Sequence, residues 1–350
     1  MVDSSLVTGA AGFVGSNLVR QLLARGDHVK AFVRPGSNLR ALRDLPADRL
    51  KIAVGDARVE PSVYAALAGC SKLYHVAAHF RLWDPKPEKI LAPTLEATRA
   101  TLGAAQKRGI EKIVLTSSVG ALGVAADQTP MDESHAFNLE DPELYFRAKH
   151  EVDLLVDDLV SQGMPIVRVL PGTIAGPGDW KPTPNGRIVL DYLNTPPTSH
   201  FPVAGGGINV VDVEDVAQGH MLAMDRGVLG ERYILGGDNL TFPQVFETLC
   251  DLTGLAEPSA PKSRATMRIA ASVFELVARL GGGEPRITTR LARDYVDAYS
   301  WVTSAKAERE LGYTHRPARD ALLRSVRWFL GNGFVAQRVA NRVRLELRPA

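Results

Sequence analysis

Two residues of this 350-residue chain have the types and the spacing of a proton-transfer pair. Tyr145 and Lys149 are separated by one turn in a segment predicted to be helical from about Pro142, so they lie on one face of that helix. A phenol with its ordinary pKa of about 10 is a poor acid or base at neutral pH, but a neighbouring ammonium favours its ionised form. The pair therefore predicts that Tyr145 exchanges a proton with a substrate oxygen while Lys149 lowers the pKa of the phenol.

Hydroxyl groups that could assist this pair stand at the end of a predicted strand. Ser117 and Ser118 directly follow the apolar run Lys112 to Thr116. A serine placed there could hydrogen-bond the substrate oxygen and stabilise the charge that develops on it. By position alone, either serine fits this role.

The chain opens with a pattern that predicts a dinucleotide site. Ser4 to Thr8 is a short apolar run typical of a buried parallel strand, and Phe13 to Ala24 has apolar residues at helical spacing. Gly9, Gly12 and Gly15 lie at this junction, where glycines permit a tight turn, close approach to a pyrophosphate and close helix packing. The strand before the glycines and the helix after them predict a pyrophosphate at the helix N-terminus.

The end of the second predicted strand, His28 to Val33, bears on which dinucleotide is bound. Proteins that favour NAD usually carry an acidic residue there to bind the ribose hydroxyls, whereas this chain has Arg34. A guanidinium suits a 2′-phosphate, and Arg40 and Arg43 could add positive charge, so NADP(H) is favoured and NAD is the alternative. Arg40 and Arg43 also fit a merely solvated helix face.

Further strand-like runs predict an α/β fold with a Rossmann-type, doubly wound parallel sheet. They are Leu50 to Val54, Lys72 to His75, Lys112 to Thr116 and Pro165 to Leu170. Ligands bind such sheets at the carboxyl ends of the strands, so the residues just after each strand are candidates for chemistry. Among them, Asp56 could reach the adenine amino group, but an Asp after a strand is also an ordinary turn residue or helix cap.

The second half of the chain predicts a smaller, discontinuous substrate domain. After Pro171 the chain is rich in Pro and Gly up to Gly207, returns to the sheet around Val210 to Val213 and again near Arg232 to Leu235, and continues into helices. The expected division is a Rossmann domain at 1–175 plus about 208–235, a substrate domain at about 176–207 and 236–330, and a basic tail at 331–350.

Together these motifs resemble the extended short-chain dehydrogenase/reductases of the NAD-dependent epimerase/dehydratase superfamily. The matching segments are Thr8-Gly-Ala-Ala-Gly-Phe-Val-Gly15, Thr116-Ser-Ser118, Tyr145-x-x-x-Lys149 and Pro171-Gly-Thr-Ile-Ala-Gly-Pro177. The resemblance implies Ser118, Tyr145 and Lys149 as catalytic residues, with Ser117 as the alternative serine. With the strand ends, it implies cofactor contacts from Gly9, Ala11, Gly12, Phe13, Val14, Gly15, Arg34, Asp56, Ala57, Val76, Ala77, Ala78, Tyr145, Lys149, Pro171 and Thr173.

Longer segments are most similar to the branch that contains dihydroflavonol-reductase-like proteins and those labelled hopanoid-associated sugar epimerases. These segments are His75-Val-Ala-Ala-His-Phe-Arg-Leu-Trp83, Lys181-Pro-Thr-Pro-Asn-Gly-Arg187 and Gly230-Glu-Arg-Tyr-Ile-Leu-Gly-Gly237. Relatives that act on nucleotide-diphosphate sugars usually carry an Arg a few residues before a Val-x-Asp motif, where this chain has Ile208. An Ile cannot bind a diphosphate, so a nucleotide-sugar substrate is disfavoured, although Arg187 could substitute.

The predicted substrate pocket draws on both parts of the chain. Phe80 and Trp83 follow the fourth strand and could cover an apolar ligand, although aromatic residues also serve as ordinary packing. Arg187 and Tyr192, in the second domain, complete the candidates together with Ser118.

Composition excludes several other classes of protein. The net charge is +2 and no basic stripe with interleaved aromatics occurs, so no nucleic-acid partner is expected. Cys70 and Cys250 are too few and too far apart for a metal site or disulfide framework, and His75 and His79 are expected to pack or to border substrate. With no signal-peptide pattern and no membrane-spanning run, a cytoplasmic location is expected.

Two segments could nevertheless contact a membrane surface. Ala265 to Leu280 is rich in apolar residues, and Val335 to Arg348 sets three valines against three arginines. Such a basic amphipathic end could lie on an anionic membrane, or it could pack on the body of the protein. A homodimer is common in the resembled family and is compatible with this sequence.

The sequence therefore predicts an NADP(H)-preferring oxidoreductase that transfers hydride reversibly between nicotinamide and a ketone, an aldehyde or a secondary alcohol. The alternative is a sugar epimerase or dehydratase that uses the same groups and recycles its cofactor internally. A non-enzymatic, cofactor-sensing binding protein is a third class, which the intact Tyr145, Lys149 and serines disfavour.

Overall fold

The fold is seen in a computed structural model that describes residues 4–78, 83–84, 86, 88–195, 204–255, 263–281, 283–285 and 287–345. Its strands are β1 (Ser4–Thr8), β2 (His28–Val33), β3 (Leu50–Val54), β4 (Cys70–His75), β5 (Lys112–Thr116), β6 (Ile166–Pro171), β7 (Thr173–Ala175), β8 (Gly207–Asp212), β9 (Arg232–Leu235), β10 (Asp238–Thr241) and β11 (Tyr299–Ser300). Its helices are α1 (Phe13–Arg25), α2 (Glu60–Ala66), α3 (Glu88–Arg108), α4 (Leu144–Ser161), α5 (Pro184–Asn194), α6 (Val213–Arg226), α7 (Phe242–Thr253), α8 (Arg264–Gly281), α9 (Thr289–Asp294), α10 (Ala305–Leu311), α11 (Ala318–Gly331) and α12 (Gln337–Ala340).

The main sheet is parallel throughout, in the order β3-β2-β1-β4-β5-β6-β9. Its central strands are buried on both faces, as Leu6 and Val7 illustrate with no exposed surface. Helices α1 and α6 pack on one face, while α2, α3 and α4 pack on the other. The Rossmann-type fold predicted from the spacing of apolar runs is therefore confirmed.

A second, four-stranded sheet joins β7, β8, β10 and β11 within the described residues. The prediction that the chain returns to the main sheet around Val210 to Val213 is wrong, because β8 belongs to this second sheet. Only β9 rejoins the main sheet, beside β6. All six residues of β8 are buried, so its apolar pattern matches that of a main-sheet strand and does not reveal its partners. The predicted domain division itself stays a prediction.

A separate hydrophobic core lies between the second sheet and helices α5, α7 and α11. It includes Val189, Tyr192, Phe246, Leu249 and Phe329, all buried. The core also receives the C-terminal segment, where Val335 is buried and Val339, Val343 and Leu345 pack against it.

The segment after Val335 is helical only over Gln337–Ala340 within the described part of the chain. Its valines contact the protein's own core, and the backbone N–H of Arg344 donates to the carbonyl of Thr253 (2.8 Å). Of the two alternatives predicted for this segment, the structure shows packing on the body as far as Leu345. No helix in the described residues is long and apolar enough to cross a membrane.

Candidate active site

Two glycines in the turn between β1 and α1 lie so close to neighbouring backbone that a side chain would not fit. Gly9 has a φ of +68°, and a Cβ atom there would lie 2.9 Å from the Cα of Ala77. A Cβ atom on Gly15 would collide with the carbonyl of Gly9. The first turn of α1 therefore packs directly on the β1 turn, and that turn touches the segment after β4.

The N-terminus of α1 fits the pyrophosphate of a dinucleotide. Gly12 is its N-cap residue and supplies no side-chain hydrogen bond, and the first turn contains no acidic residue. The first N–H groups of a helix lack intrahelical acceptors, so an anion can be bound there by backbone donors and the helix dipole. Ala11, Phe13 and Val14 are partly buried around this turn.

Two predicted cofactor residues lie just after β2 and β3: Arg34, proposed to favour NADP, and Asp56, proposed either to reach the adenine or to serve as a turn residue or helix cap. Arg34 is exposed directly after β2. Asp56 follows β3, pairs with Arg58 (2.6 Å) and accepts the backbone N–H of Arg58 (2.9 Å). Arg58, and more weakly Arg34, hold the pKa of Asp56 at about 2. Asp56 thus acts as a turn residue, one of its two predicted roles, beside the exposed Arg34.

Arg40 connects the cofactor side of the sheet with the segment after β7. Its guanidinium stacks on the Trp180 ring, 3.9 Å from the centroid, and both Arg40 and Arg43 are exposed. Nearby, the side-chain amide of Asn17 in α1 donates to the carbonyl of Pro177 (3.1 Å). The segment that follows β7 is therefore anchored on α1 and on the short turn that contains Arg40.

The three predicted catalytic residues meet at the carboxyl end of β5. The Tyr145 hydroxyl is hydrogen-bonded to Ser118, and the Ser118 Oγ accepts the backbone N–H of Gly120 (3.1 Å). The Lys149 Nζ lies 5.9 Å from the Tyr145 ring centroid and donates to the carbonyl of Thr116 (2.6 Å). Ser117 instead faces Asp153 beneath this group, so the geometry favours Ser118 over Ser117 as the partner of Tyr145.

Burial controls the protonation of this group in the protein alone. It raises the pKa of Tyr145 to about 12, with the Ser118 hydrogen bond opposing the shift. It lowers the pKa of Lys149 to about 8, with the Asp153 carboxylate opposing that shift. The phenol pKa therefore moves in the opposite direction to the prediction, since desolvation disfavours the phenolate more than its neighbours stabilise it.

A second layer of polar residues holds Lys149 in place. His220 Nδ1 lies 2.7 Å from the carbonyl of Val216, which can only accept, so Nδ1 carries the proton and Nε2 accepts from the Thr116 hydroxyl (2.8 Å). Burial lowers the pKa of His220 to about 4, which keeps the ring neutral beside the lysine. Asp153, one turn beyond Lys149, is buried, and burial raises its pKa.

The start of the catalytic helix is anchored to α9. Glu143 is the N-cap residue of α4 and accepts both the backbone N–H of Leu144 (3.0 Å) and the hydroxyl of Thr288. Next to Tyr145, Phe146 stacks on Tyr295 with 4.8 Å between ring centroids. These contacts fix the helix end on which Tyr145 lies.

The predicted substrate residues are spread more widely. Trp83 is partly buried after β4, and Phe80 lies outside the described residues. Arg187 is exposed on α5. Tyr192, on the same helix, is buried in the second core with Phe246 5.9 Å away, rather than at an open surface. Ile208 is also buried in that core.

Four residues around the site lie outside the motifs of the sequence: Asp153, His220, Glu143 and Thr288. Asp153 alone had a usable signal, because it continues the Tyr145–Lys149 row by another four residues. His75 is buried, bonded to the Thr8 hydroxyl (2.9 Å), with its pKa lowered by burial to about 3, which matches the predicted packing role. Among the described residues no cluster of His, Cys, Asp or Glu could hold a metal ion.

Comparison with known proteins supports the resemblance drawn from the motifs. The chain is 37% identical over 343 residues to a putative dihydroflavonol 4-reductase of Synechocystis, covering 96% of this chain and 97% of that protein. It is 33% identical over 338 residues to sterol demethylase protein B of Methylococcus capsulatus, covering 95% and 100%. The crystal structure of gox2253 superposes with a TM-score of 0.82 at 37% identity, covering 95% of this chain and 100% of that one.

The profile of the NAD dependent epimerase/dehydratase family matches residues 5–236, from β1 to the end of β9. This match spans the glycine turn, the Tyr145–Lys149 pair and the main sheet. The chain therefore belongs to the NAD-dependent epimerase/dehydratase family, whose members are extended short-chain dehydrogenase/reductases.

Proposed function

We propose that the protein is an NADP(H)-preferring oxidoreductase that transfers hydride reversibly between nicotinamide and a ketone, aldehyde or secondary alcohol. The observation that carries this proposal is the contact of Ser118 with Tyr145, with Lys149 beside them at the carboxyl end of β5. A phenol, an orienting hydroxyl and an ammonium at the ligand edge of a Rossmann-type sheet are suited to proton transfer beside a nicotinamide.

The chain's own residues would divide the work of binding. The N-terminal N–H groups of α1 would hold the pyrophosphate, and the exposed Arg34 would pair with the 2′-phosphate. Lys149, already fixed by the Thr116 carbonyl, would hold the nicotinamide ribose. When bound, the nicotinamide supplies a hydride in reduction and takes one up in oxidation.

Proton transfer would fall to Tyr145. In reduction its hydroxyl donates the proton to the carbonyl oxygen, and the Ser118 hydroxyl orients that oxygen through a hydrogen bond. The pKa of about 12 means that the phenol holds its proton at neutral pH, the form that reduction requires. In the reverse direction Tyr145 must first lose its proton, which the nearby Lys149 ammonium favours.

The substrate is proposed to be an uncharged, largely apolar carbonyl compound or alcohol. The names of two relatives, a dihydroflavonol reductase and a sterol demethylase protein, refer to ring compounds without phosphate groups. The buried Ile208 supplies no cation for a diphosphate. Both observations favour carbonyl reduction over nucleotide-sugar chemistry.

An epimerase with an internally recycled cofactor is the second candidate. It would use the same Ser118, Tyr145 and Lys149 to oxidise and then reduce one carbon. The observation that favours it is the exposed Arg187, which could contact a phosphorylated sugar in place of the Arg that this chain lacks at position 208.

Cofactor residence distinguishes the two functions. The protein should be purified without added nucleotide and denatured, any released dinucleotide identified, and the exchange of added NADPH and NADH measured on intact protein. A reductase is expected to exchange NADPH freely, to bind it more tightly than NADH, and then to oxidise it with a carbonyl substrate from a screen. Tightly retained NAD(H) would support the epimerase and refute the role proposed for Arg34.

A further inference from the structure

The α8 helix exposes a continuous apolar stripe to solvent. Five large apolar side chains are exposed by 53–81%, at positions that recur every three or four residues. They are Ile269, Val273, Leu276, Val277 and Leu280. An apolar surface of this kind, contributed by neighbouring turns of one helix, usually marks an interaction site.

The opposite face of α8 is firmly attached to the protein. Met267, Ala271 and Ala278 are buried, and the first two share a small core with Ala292 and Val296. Glu275 on the inner side accepts the backbone N–H and the hydroxyl of Thr289. The helix is therefore held in one orientation, with its apolar stripe directed away from the body.

The charges of α8 indicate which partner fits the stripe. Arg268 and Arg279 are exposed along one flank of it, and the helix contains a single acidic residue, Glu275, which is bonded to Thr289. An apolar face bordered by arginines suits the surface of an anionic bilayer, where the apolar side chains enter the interface and the guanidinium groups meet lipid phosphates. We propose that α8 docks the protein on an anionic membrane surface.

A second copy of the chain fits this face less well. In a two-fold contact along α8, antiparallel helices place the Arg268 end of one against the Arg279 end of the other, and parallel helices place identical arginines near each other. Two cationic ends would then meet with no acidic residue of either α8 free to neutralise them. A negatively charged lipid surface provides that complement.

The α8 helix is connected through α9 to the helix that carries Tyr145. The helix packs on α9, and Thr288 at the start of α9 bonds to Glu143, the cap of the helix that carries Tyr145. Docking through α8 therefore holds the catalytic helix close to the bilayer, where an apolar substrate dissolves. Membrane binding itself needs no turnover, so it can be tested whether or not the proposed function holds.

The test is sedimentation of the full-length protein with vesicles of phosphatidylcholine alone or mixed with phosphatidylglycerol, at physiological salt. The variants are Leu276→Glu/Leu280→Glu in the stripe and Arg268→Gln/Arg279→Gln on its flank. Leu229→Glu is the matched control, because Leu229 is similarly exposed (53%) but lies outside α8. The four residues changed in the two test variants are all exposed, so the substitutions should not disturb the core. Thermal melting of each variant checks that it is folded.

We expect the wild-type protein to bind the mixed vesicles, and its affinity for vesicles of phosphatidylcholine alone to be at least tenfold weaker. Binding should fall at least tenfold in the leucine variant and several-fold in the arginine variant, and should be unchanged in Leu229→Glu. Three outcomes would overturn the proposal. The wild-type protein could fail to bind the mixed vesicles, or the leucine variant could bind them as tightly as the wild type. The third is a dimer, seen by analytical ultracentrifugation, that the leucine variant abolishes.

Discussion

The Nζ atom of Lys149 lies 2.6 Å from the carbonyl oxygen of Thr116, the last residue of β5. This bond ties the ammonium on α4 to the carboxyl edge of the sheet, where the glycine turn and Ser118 also lie. The Thr116 hydroxyl bonds in turn to the neutral His220, so the acceptor strand end is itself fixed. The lysine is thus held in place by the protein, and burial lowers its pKa to about 8.

The pKa of Lys149, about 8, predicts how nucleotide use depends on pH. Below this value the side chain is an ammonium that can bind a ribose, and as the pH rises through it the charge is lost. The kcat/KM for NADPH in the reductive direction should therefore fall above about pH 8. The measurement is a profile from pH 6 to 10, and a flat profile across this range would contradict the assignment. A Lys149→Met variant should lack the transition.

Replacement of Tyr145 by Phe removes the proton donor and keeps the ring. Turnover should drop by about 10²–10⁴, the usual contribution of a general acid, while the dissociation constant of NADPH changes by no more than about twofold. Steady-state rates and a nucleotide titration measure the two quantities. Tyr299→Phe, a change to a partly buried tyrosine in β11, is the control and should be active. If Tyr145→Phe kept its biological role unaltered, a non-enzymatic binding protein would be supported instead.

Arg34 should decide the preference for NADPH. Removal of one charge-assisted phosphate contact costs about 1.5–3 kcal/mol, so Arg34→Ser should weaken NADPH binding roughly 10- to 100-fold and leave NADH binding unchanged. Calorimetric titration of both nucleotides gives the comparison.

Parallel variants at Arg40 and Arg43 separate the three arginines. Arg43→Ala, at an exposed position, should have little effect. A larger loss in Arg40→Ala than in Arg34→Ser would instead assign the 2′-phosphate to the arginine that stacks on Trp180.

The main sheet and the glycine turn could be predicted because their signals are local. Each strand is a short buried run, α1 follows the glycines directly, and the i, i+4 spacing alone places Tyr145 and Lys149 on one face. Because ligands bind at the carboxyl ends of parallel strands, Ser118 was also predicted to lie at that edge of the sheet. The family resemblance favours Ser118 over Ser117, and the backbone path, which turns Ser117 towards Asp153, agrees with that choice.

Contacts between distant parts of the chain could not be predicted from the sequence. The strand β8 is as apolar as a main-sheet strand, yet it pairs with β7, β10 and β11. Tyr192 is a candidate pocket residue by its place next to a Pro-rich and Gly-rich region; the structure places it in the second core, and its contact with substrate stays a prediction. Neither the partners of β8 nor the surroundings of Tyr192 are encoded by a local pattern.

Gly15 tests the close packing beneath the cofactor site. A Cβ atom there collides with the Gly9 carbonyl, so Gly15→Ala must displace either α1 or the turn. We expect a loss of about 1–3 kcal/mol in the free energy of unfolding and at least tenfold weaker nucleotide binding. Denaturant unfolding and nucleotide titration are the measurements. Gly331→Ala, where a Cβ atom meets nothing within 4 Å, is the control. Wild-type nucleotide affinity in Gly15→Ala would show that the turn tolerates the methyl group.

Asp153 is predicted to act through Lys149 as a positioning residue. Its carboxylate raises the pKa of Lys149 against the effect of burial, so the neutral Asp153→Asn should lower that pKa further. The fall in kcat/KM for NADPH should then occur at a pH below 8, with activity at lower pH preserved. Asp153→Glu should restore the wild-type profile. Asp157→Asn, one turn further along α4 at a more exposed position, should leave the profile unchanged.

A purely structural role for Asp153 would lower the melting temperature or the maximal rate without moving the midpoint of the pH profile. The midpoint is therefore the informative quantity, because it depends on the charge beside Lys149 and not on the amount of folded enzyme. An unchanged midpoint in Asp153→Asn would mean that Asp153 is protonated next to the lysine. Burial of both residues would then set the pKa of Lys149 without help from a carboxylate.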